Sequence, residues 1–588
     1  MQSLFRKCLV VAVVSIFCVT VHGQKKKRSP APAPVTKEKA ASATTNPPSP
    51  SARSGPKPYK DVITSKAISS RGLFTVHKIE DRYLFEIPDT LFGRDLLIVG
   101  RISKGGADIR GNMLGYGGDQ INEALVRFEK GPNNRIFLKT PSYSERAFDS
   151  SSNGMFRSLS NSSLLSIAAA FEIKAFHYTD TTEKLSDAAV IDLTDFLSGD
   201  NEILYFSAPA KANLKLSSYQ ADKSYVADVR SFPTNIEIRA VKTYTRSAAG
   251  GSSTAATGAK PGNATLELNS SIVLLPEKPM QPRYYDDRVG YFNTGFVEYD
   301  ANPHGIKRVS LITRWRLEPK PEDMEKYKRG ELVEPAKPII FYIDPNTPKK
   351  WVPYLIQGVE DWRVAFEKAG FKNAISAKEA PVDDPEWSLD DARHSAIVYK
   401  PSDIPNASGP HVHDPRSGEI LESHINWYHN VMEVVRNWYL IQAGASDPRA
   451  QKLKFDDELM GQLIRFVSSH EVGHTLGLRH NFGASSTVPV EKLRDKAWVE
   501  KHGHTPSIMD YARFNYVAQP EDNIGEKGIF PRINDYDIWA IEWGSFRSAI
   551  CMVIMPRMNE CRLYMFSCRI LIQITVQNNE EVELSYID

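Results

Sequence analysis

The chain has 588 residues, of which 41% are hydrophobic and 24% are charged. This composition is that of an ordinary globular protein, and the length predicts two or three domains. With 73 Lys and Arg against 71 Asp and Glu, the net charge is +2, which provides no global field to attract nucleic acid or an anionic membrane. Binding to nucleic acid is therefore not expected.

The N-terminus has the order of charge, apolar core and small exit residue that is typical of a signal peptide. Arg6 and Lys7 precede an apolar run from Cys8 to Val21, which is too short for a comfortable membrane span. We predict a signal peptide over residues 1–23, cleaved after Gly23, and a mature form without a stable membrane span. The protein is then exported, to the periplasm, the cell surface or the medium. Lipid attachment at Cys18 and an uncleaved anchor are the two alternatives.

Residues 24–58 are rich in Lys, Pro, Ala, Ser and Thr and contain hardly any large apolar side chain. Such a segment cannot bury enough surface to offset the entropy lost on ordering, so it predicts a flexible linker.

Residues 59–317 read as a β-rich region of one or two domains. Short alternating apolar runs are separated by Gly, Pro, Asn and Ser, a pattern that favours antiparallel sheet. The predicted strands are 73–79, 83–87, 124–128, 135–138 and 235–241, and the small residues of 248–262 predict an exposed loop. The aromatic and charged segment 283–292 is interpreted as a connector packed by its aromatics, with a substrate-groove lining as the alternative.

A catalytic domain is predicted over residues 335–545. It begins with an apolar strand, a helix that is closed by Gly370, and a second strand. A hairpin, a helix before the metal-binding helix, and a last helix that ends at Gly544 complete it. The corresponding ranges are 338–343, 353–368, 394–399, 412–421, 430–442 and 534–543.

The last segment, 546–588, differs in texture from the body. It contains Cys551, Cys561 and Cys568, although no cysteine occurs between Cys18 and Cys551. We interpret it as an atypical tail, for which a frameshifted or truncated end is one explanation. An exported protein whose body contains no disulfides must rely on packing and metal for its stability.

The strongest signal is His470–His480, which reads H-E-x-x-H-x-x-G-x-x-H. On a helix, His470 and His474 lie one turn apart on the same face, so both imidazoles can bind one metal ion. Gly477 allows a sharp turn that returns His480 to the ion. Three histidines leave one tetrahedral position open for water, which is typical of catalytic Zn²⁺. Glu471 is then placed to act as general base.

Downstream, Ser507–Tyr511 reads S-I-M-D-Y and resembles the Met-turn of the metzincin zinc metallopeptidases. As a whole, the chain is similar to exported bacterial zinc-dependent metalloproteases with uncharacterised β-rich N-terminal regions. The resemblance implies an α+β fold in which a β-rich region precedes a metzincin-like domain, built from a twisted mixed sheet and a long zinc-binding helix. It also implies that Met509 forms an apolar floor below the imidazoles and that Tyr511 acts on the metal or the oxyanion.

These features predict an exported zinc endopeptidase whose partner is a protein or peptide substrate. The resemblance suggests that residues 418–427 form the strand that borders the cleft and pairs with the substrate backbone. A simply packed Tyr511 is the alternative to a catalytic one, and a second metal site among His411, His413, His424 and His429 is a minor alternative. Two other functions stay open: a surface binding or scaffold protein with a vestigial metal site, and a zinc hydrolase of a non-peptide amide.

Overall fold

The structure is a computed structural model that describes residues 55–106, 109–110, 113–179, 187–246, 262–384 and 386–545. The predicted signal peptide, nearly all of the predicted linker, the predicted loop at 248–262 apart from Gly262, and the predicted tail lie outside the described residues. Among the described residues, no helix combines the length and the apolar character needed to cross a bilayer.

The first half of the chain is dominated by a 12-stranded antiparallel sheet. Its strands alternate buried and more exposed side chains; in one of them Ile136 and Leu138 are buried and their neighbours are less so. Inward-facing rings such as Phe74, Phe85 and Phe128 pack into a common core. The strands of this region are β1 (Ile68–Ser70), β2 (Thr75–Ile79), β3 (Arg82–Pro88), β4 (Asp95–Gly105), β5 (Gln120–Gly131), β6 (Arg135–Thr140), β7 (Glu145–Arg146), β8 (Ser166–His177), β9 (Ala188–Asp192), β10 (Leu216–Tyr219), β11 (Tyr225–Ser231), β12 (Asn235–Arg246) and β13 (Gly262–Leu274).

All of these strands except β7 belong to the sheet, in the order β1-β2-β3-β9-β8-β6-β5-β4-β13-β12-β10, with β11 paired to β12. Each of the five strands predicted from the sequence overlaps an observed strand.

The second half of the chain combines a small mixed sheet with most of the helices. Its strands are β14 (Asn293–Glu298), β15 (Lys307–Ile312), β16 (Arg314–Trp315), β17 (Ile339–Ile343), β18 (Ile375–Glu379), β19 (Ser395–Lys400), β20 (Ala407–Ser408), β21 (Val412–Asp414), β22 (Glu419–Glu422) and β23 (His424–Tyr428). Five of them form the sheet β18-β17-β19-β23-β20, in which β20 alone runs antiparallel to its neighbour. The other strands of this half belong to two three-stranded sheets, β15-β14-β7 and β16-β22-β21, the first of which includes β7 from the first half of the chain.

The α-helices of the described residues are α1 (Tyr59–Val62), α2 (Phe156–Ser162), α3 (Thr194–Ser198), α4 (Ala208–Asn213), α5 (Met324–Lys328), α6 (Val352–Glu360), α7 (Arg363–Lys368), α8 (Val431–Ala443), α9 (Asp457–Thr475), α10 (Lys496–His502), α11 (Glu526–Ile529) and α12 (Asp535–Ser545). A β-rich N-terminal region followed by a mixed sheet with helices is an α+β fold, as predicted.

Two details of the predicted helices are wrong. The single helix expected over 353–368 is two helices, α6 and α7, with a break at Asp361 and Trp362. At this break the Trp362 indole N–H donates to the Ser469 carbonyl over 2.8 Å, and Asp361 accepts from Arg465 and Ser469. The chain therefore bends where it is fastened to α9. The last helix, α12, also continues through Gly544 to Ser545.

The expectation that residues 418–427 form one cleft-bordering strand is wrong as well. This segment divides between two sheets, since β22 pairs with β16 and β21, whereas β23 lies inside the five-stranded sheet between β19 and β20. The edge of that sheet is β20, and within the described residues β20 pairs with β23 alone. A one-residue gap at Ser423 is enough to move the chain from one sheet to the other, which alternation in sequence does not reveal.

Buried ionic contacts join the β-rich region to the sheet of the second half. Arg101 on β4 pairs with Glu422, and Asp119 pairs with Lys400 on β19; all four side chains are at most 3% exposed. A charge taken out of water in this way is costly unless its partner stays in place. These two ion pairs therefore fix the halves to each other, because removal of either partner would leave the other charge buried and unpaired.

Candidate metal centre and active site

The helix α9 carries the first two candidate ligands. It begins after Asp456, whose carboxylate caps the helix by accepting the Leu459 N–H over 2.8 Å. His470 and His474 lie one turn apart near its C-terminus, and His470 and Glu471 are each 7% exposed. The helix is buried along most of its length, so these side chains project from a rigid element.

The third histidine is returned by a turn at Gly477. This residue has a φ of +99°, and a Cβ there would lie 2.2 Å from the Thr313 carbonyl oxygen, so only glycine fits. The Leu478 N–H reaches back to the Gly473 carbonyl over 3.0 Å and closes the end of the helix. The turn brings His480 against the ligands of α9.

The three imidazoles converge through their Nε2 atoms. The Nε2 of His480 lies 3.2 Å from that of His470 and 3.1 Å from that of His474. Tetrahedral coordination with Zn–N bonds of about 2.0–2.1 Å separates ligand nitrogens by about 3.3 Å, so the observed spacing fits a bound zinc ion. The three residues form a candidate metal-binding group in the described part of the chain.

The other ring nitrogens fix the tautomers. The Nδ1–H of His470 donates to the Ile508 carbonyl and that of His474 to the Leu478 carbonyl, each over 2.8 Å. Both Nε2 atoms are therefore lone-pair donors, and a single proton on His480 cannot satisfy both of them. A cation resolves this convergence of lone pairs, and carbonyl-anchored imidazoles are the usual partners of a protein-bound metal.

Burial also keeps these histidines neutral. It lowers the pKa of His470 well below the usual range, and burial followed by the charges of neighbouring groups lowers the pKa of His480 to about 4. The pKa of His474 is lowered by burial too. A neutral imidazole is the form that binds a metal, so the site is ready to bind one at neutral pH.

The segment Ser507–Tyr511 lies directly beside α9. The Ile508 carbonyl of this segment anchors His470. The Met509 sulfur packs against Gly473 so closely that a Cβ added to Gly473 would lie only 2.2 Å from it. The turn is held by Asp537 of α12, which accepts from the Ser507 hydroxyl and the Ile508 N–H, each over 2.7 Å. The contact of Met509 with α9 thus depends on the absence of a side chain at Gly473 and on the Asp537 carboxylate that holds the turn.

One carboxylate oxygen of Glu471 is free to accept a further hydrogen bond. Its Oε2 is buried and has no hydrogen-bond partner in the described part of the chain, and its carboxylate accepts the Gly409 N–H next to the edge strand β20. Burial raises the pKa of Glu471 to about 8, and a cation at the histidines opposes this shift because it stabilises the ionised form. An unpaired buried carboxylate oxygen requires a partner, and a water molecule would supply one if a metal ion were bound at the histidines.

Tyr511 lies against the histidines from the outside. Its ring centroid is 4.3 Å from that of His480 and 5.6 Å from that of His470, and the side chain is 47% exposed. The structure thus brings together His470, His474, His480, Glu471, Met509 and Tyr511, all of which the sequence analysis selected.

Sequence reasoning missed the residues that brace the turn at Gly477. The Phe292 N–H donates to the Gly477 carbonyl over 2.7 Å, and the Arg479 N–H donates to the Gly290 carbonyl over 2.8 Å. The Trp315 indole N–H donates to the Thr475 carbonyl at the end of α9 over 2.8 Å. The predicted connector 283–292 therefore does more than link two regions, and its aromatic content was the available signal.

A cavity of about 60 Å³ adjoins this group. Its walls are Ala407 of the edge strand, apolar side chains of α8 and α9, and the segment that follows Met509, and it reaches His470 and Glu471. It lies where the edge strand β20, the helix α9 and the Glu471 carboxylate meet.

Comparison with known families bears directly on this region. A family described as Met-zincin (DUF4953) matches residues 452–545. Together with the histidine triad, this is consistent with a metzincin-type zinc peptidase. The Met-zincin match includes all three histidines, Glu471 and the Met509 turn.

The preceding region matches two families described as domains of unknown function, DUF5118 over residues 56–105 and DUF5117 over residues 118–320. The bracing residues at 290–292 and Trp315 lie in the second of these matches. No curated protein and no solved structure matches the chain.

Proposed function

We propose that the protein is an exported zinc-dependent endopeptidase that uses Glu471 as general base. The observation that carries this proposal is the convergence of three Nε2 lone pairs at 3.1–3.2 Å, with two of the opposite nitrogens committed to backbone carbonyls. Side chains that only fill a core do not bring three acceptor nitrogens to one point, because such a convergence is unfavourable without a cation. The Met-zincin match over the same residues supports the choice of zinc and of peptide hydrolysis.

The residues of the chain divide the chemistry between them. A zinc ion held by His470, His474 and His480 supplies a Lewis acid that activates water and polarises a carbonyl. Glu471 accepts the proton of the attacking water and passes it to the leaving amine. Tyr511, which faces the same point from the solvent side, donates a hydrogen bond to the oxygen that develops negative charge.

Substrate binding follows from the edge strand. Since β20 has one partner strand in the described residues, its outer edge is available to an extended chain, which it would hold by main-chain hydrogen bonds. This mode of binding favours unfolded or flexible protein segments. Export rests on the N-terminal sequence of charge, apolar run and small residues.

The test is digestion of casein by the full-length mature protein and by Glu471→Ala. We expect cleavage by the wild type, at least about 1,000-fold loss in the variant, and stoichiometric zinc in both. Glu433→Ala, which changes an exposed glutamate on α8, is the matched control and should retain full activity. Equal cleavage by wild type and Glu471→Ala would refute the mechanism, and folded protein without metal would refute the metal site.

A further inference from the structure

The cavity beside Glu471 has one cationic residue in its wall. Most of the lining is apolar and includes Val434, Trp438 and Val467. Arg513 also lines the cavity, four residues after Met509 in the chain. Glu471 and Asp510 line the same cavity, and Arg513 is the residue among its walls that offers a positive charge to a polar group of an occupant.

The guanidinium of Arg513 is positioned by rings and is not neutralised by an acid. Its central carbon lies 3.4 Å from the centroid of Trp438 and 4.9 Å from that of Tyr511. Among the described residues it forms no ion pair, in contrast to Arg393, which stacks on Phe232 and is paired with Asp391. Stacking through the plane leaves the N–H groups at its edge free to donate.

The backbone presents this side chain at a cost. Arg513 has a φ of +55°, a left-handed conformation that residues other than glycine rarely adopt. The His504 Nε2–H donates to the Arg513 carbonyl over 2.8 Å and holds the turn in place. Strained backbone that is fixed by its surroundings is common where a side chain is aimed at a ligand.

We propose that Arg513 is a specificity-determining residue that binds a carboxylate of the substrate, carried by the residue next to the cleaved bond. This inference rests on the proposed peptidase function. The cavity accepts the apolar stem of that residue between α8 and α9, and Arg513 receives the acidic end in a two-point hydrogen-bonded ion pair. The substrate class is therefore acidic peptides, in place of the broad apolar class that the cavity walls alone would select.

The carboxylate has two possible sources, namely a Glu or Asp side chain or the free C-terminus of the peptide. Cleavage of an end-blocked peptide library that is randomised at its central positions should select Glu and Asp at one position flanking the cleaved bond. A pair of peptides that differ only in a free or an amidated C-terminus measures the second source. A preference for the carboxylate in the library or in the peptide pair supports the proposal and identifies the source. The absence of such a preference in both experiments refutes it.

The variants isolate the role of the guanidinium. For a peptide pair that differs only in Glu against Gln, we expect kcat/KM to favour Glu by about 10- to 100-fold in the wild type. Arg513→Gln should abolish this ratio, Arg513→Lys should retain part of it, and Arg513→Glu should favour a Lys peptide. Lys501→Gln, which removes one exposed charge from α10, is the matched control. Because the readout is a ratio, general damage to the enzyme cancels.

A binding measurement separates this inference from the proposed function. Fluorescence anisotropy with the same Glu and Gln peptides, on zinc-loaded Glu471→Ala protein, reports recognition without cleavage. If the wild type cleaves nothing while this protein still prefers the Glu peptide and loses the preference on Arg513→Gln, the peptidase proposal fails and the carboxylate site stands. If cleavage occurs and Arg513→Gln leaves the Glu to Gln ratio unchanged, the carboxylate site fails and the peptidase stands.

Discussion

Replacement of Gly473 by alanine tests the contact between the metal-binding helix and the turn at Met509. An added Cβ would lie 2.2 Å from the Met509 sulfur and 2.8 Å from Cζ2 of Trp362. Favourable contacts between such atoms occur at about 3.5–4.0 Å, so the Met509 sulfur must move by more than about 1 Å and the Trp362 ring by about 0.7 Å or more. Neither has room to do so, since Met509 and Trp362 are both fully buried.

The magnitude follows from two opposed effects. Alanine in place of glycine inside a helix stabilises by about 1 kcal/mol, whereas overpacking of a core costs about 1–3 kcal/mol. With two immobile neighbours the upper part of that range applies, and we expect Gly473→Ala to lower the free energy of unfolding by about 1–2 kcal/mol. Zinc affinity should fall with it, because the displaced turn carries the Ile508 carbonyl that anchors His470.

The assay is urea unfolding of the zinc-loaded protein, combined with zinc competition, for the wild type, Gly473→Ala, Met509→Ala and the double variant. Truncation of Met509 opens the space that the new methyl group needs, so the double variant should be more stable than the sum of the single effects predicts, by about 1 kcal/mol or more. Strict additivity, or a Gly473→Ala protein as stable as the wild type, would show that Met509 does not lie against the helix as described.

Three further predictions address the same region and the β-rich sheet. Asp537→Asn should lower the free energy of unfolding by about 1–3 kcal/mol and weaken zinc binding about 10- to 100-fold, because an amide N–H would face the Ile508 N–H; urea unfolding and zinc competition measure this, and an unchanged zinc affinity contradicts it. Tyr511→Phe should lower kcat by about 100-fold or more at unchanged zinc content if its hydroxyl donates to the oxyanion, and an unchanged kcat would leave the tyrosine a packing residue. At Glu86, burial opposes ionisation but hydrogen bonds from His77 and Tyr59 outweigh it and lower the pKa from 4.5 to about 2, so its ionised form stabilises the fold above pH 4.5 and this contribution is lost as the pH falls towards 2. Glu86→Gln should remove up to about 3 kcal/mol of that pH dependence in urea titrations between pH 6 and 2, whereas parallel profiles for both proteins would contradict the assignment.

Local patterns in the sequence were sufficient for the parts of the site that are local in the chain. His470, Glu471 and His474 share one helix, and the helix spacing, the cap at Asp456 and the turn at Gly477 follow from rules that act over a few residues. The strands of the β-rich region were legible for the same reason, since alternation is a property of each strand. The Met-turn was found by resemblance, which gave its position and not its contacts.

What could not be predicted depends on pairings between distant parts of the chain. The assignment of 418–427 to one strand failed because Glu422 and His424 point into different sheets, and that choice is made by partners at 314–315 and 395–400. The break between α6 and α7 depends on where α9 offers the Ser469 carbonyl. Such contacts leave no periodic signal in the sequence, because the pattern of each segment reports its own helix or strand periodicity and not the distant segment with which it pairs.

The bracing of the Gly477 turn extends this reasoning to the role of the β-rich region. His480 reaches the other two histidines only while the turn holds its shape, and the hydrogen bonds that hold it come from Gly290 and Phe292, with Trp315 fixing the end of α9. These residues precede the predicted start of the catalytic domain at 335, and a buried ion pair between Arg101 and Glu422 ties the first sheet to the strands beside them. A metal-binding turn that depends on backbone partners from residues 290–315 has its geometry set by the region before it, so we infer that the boundary between the β-rich region and the peptidase runs through the active site and not between two independent domains.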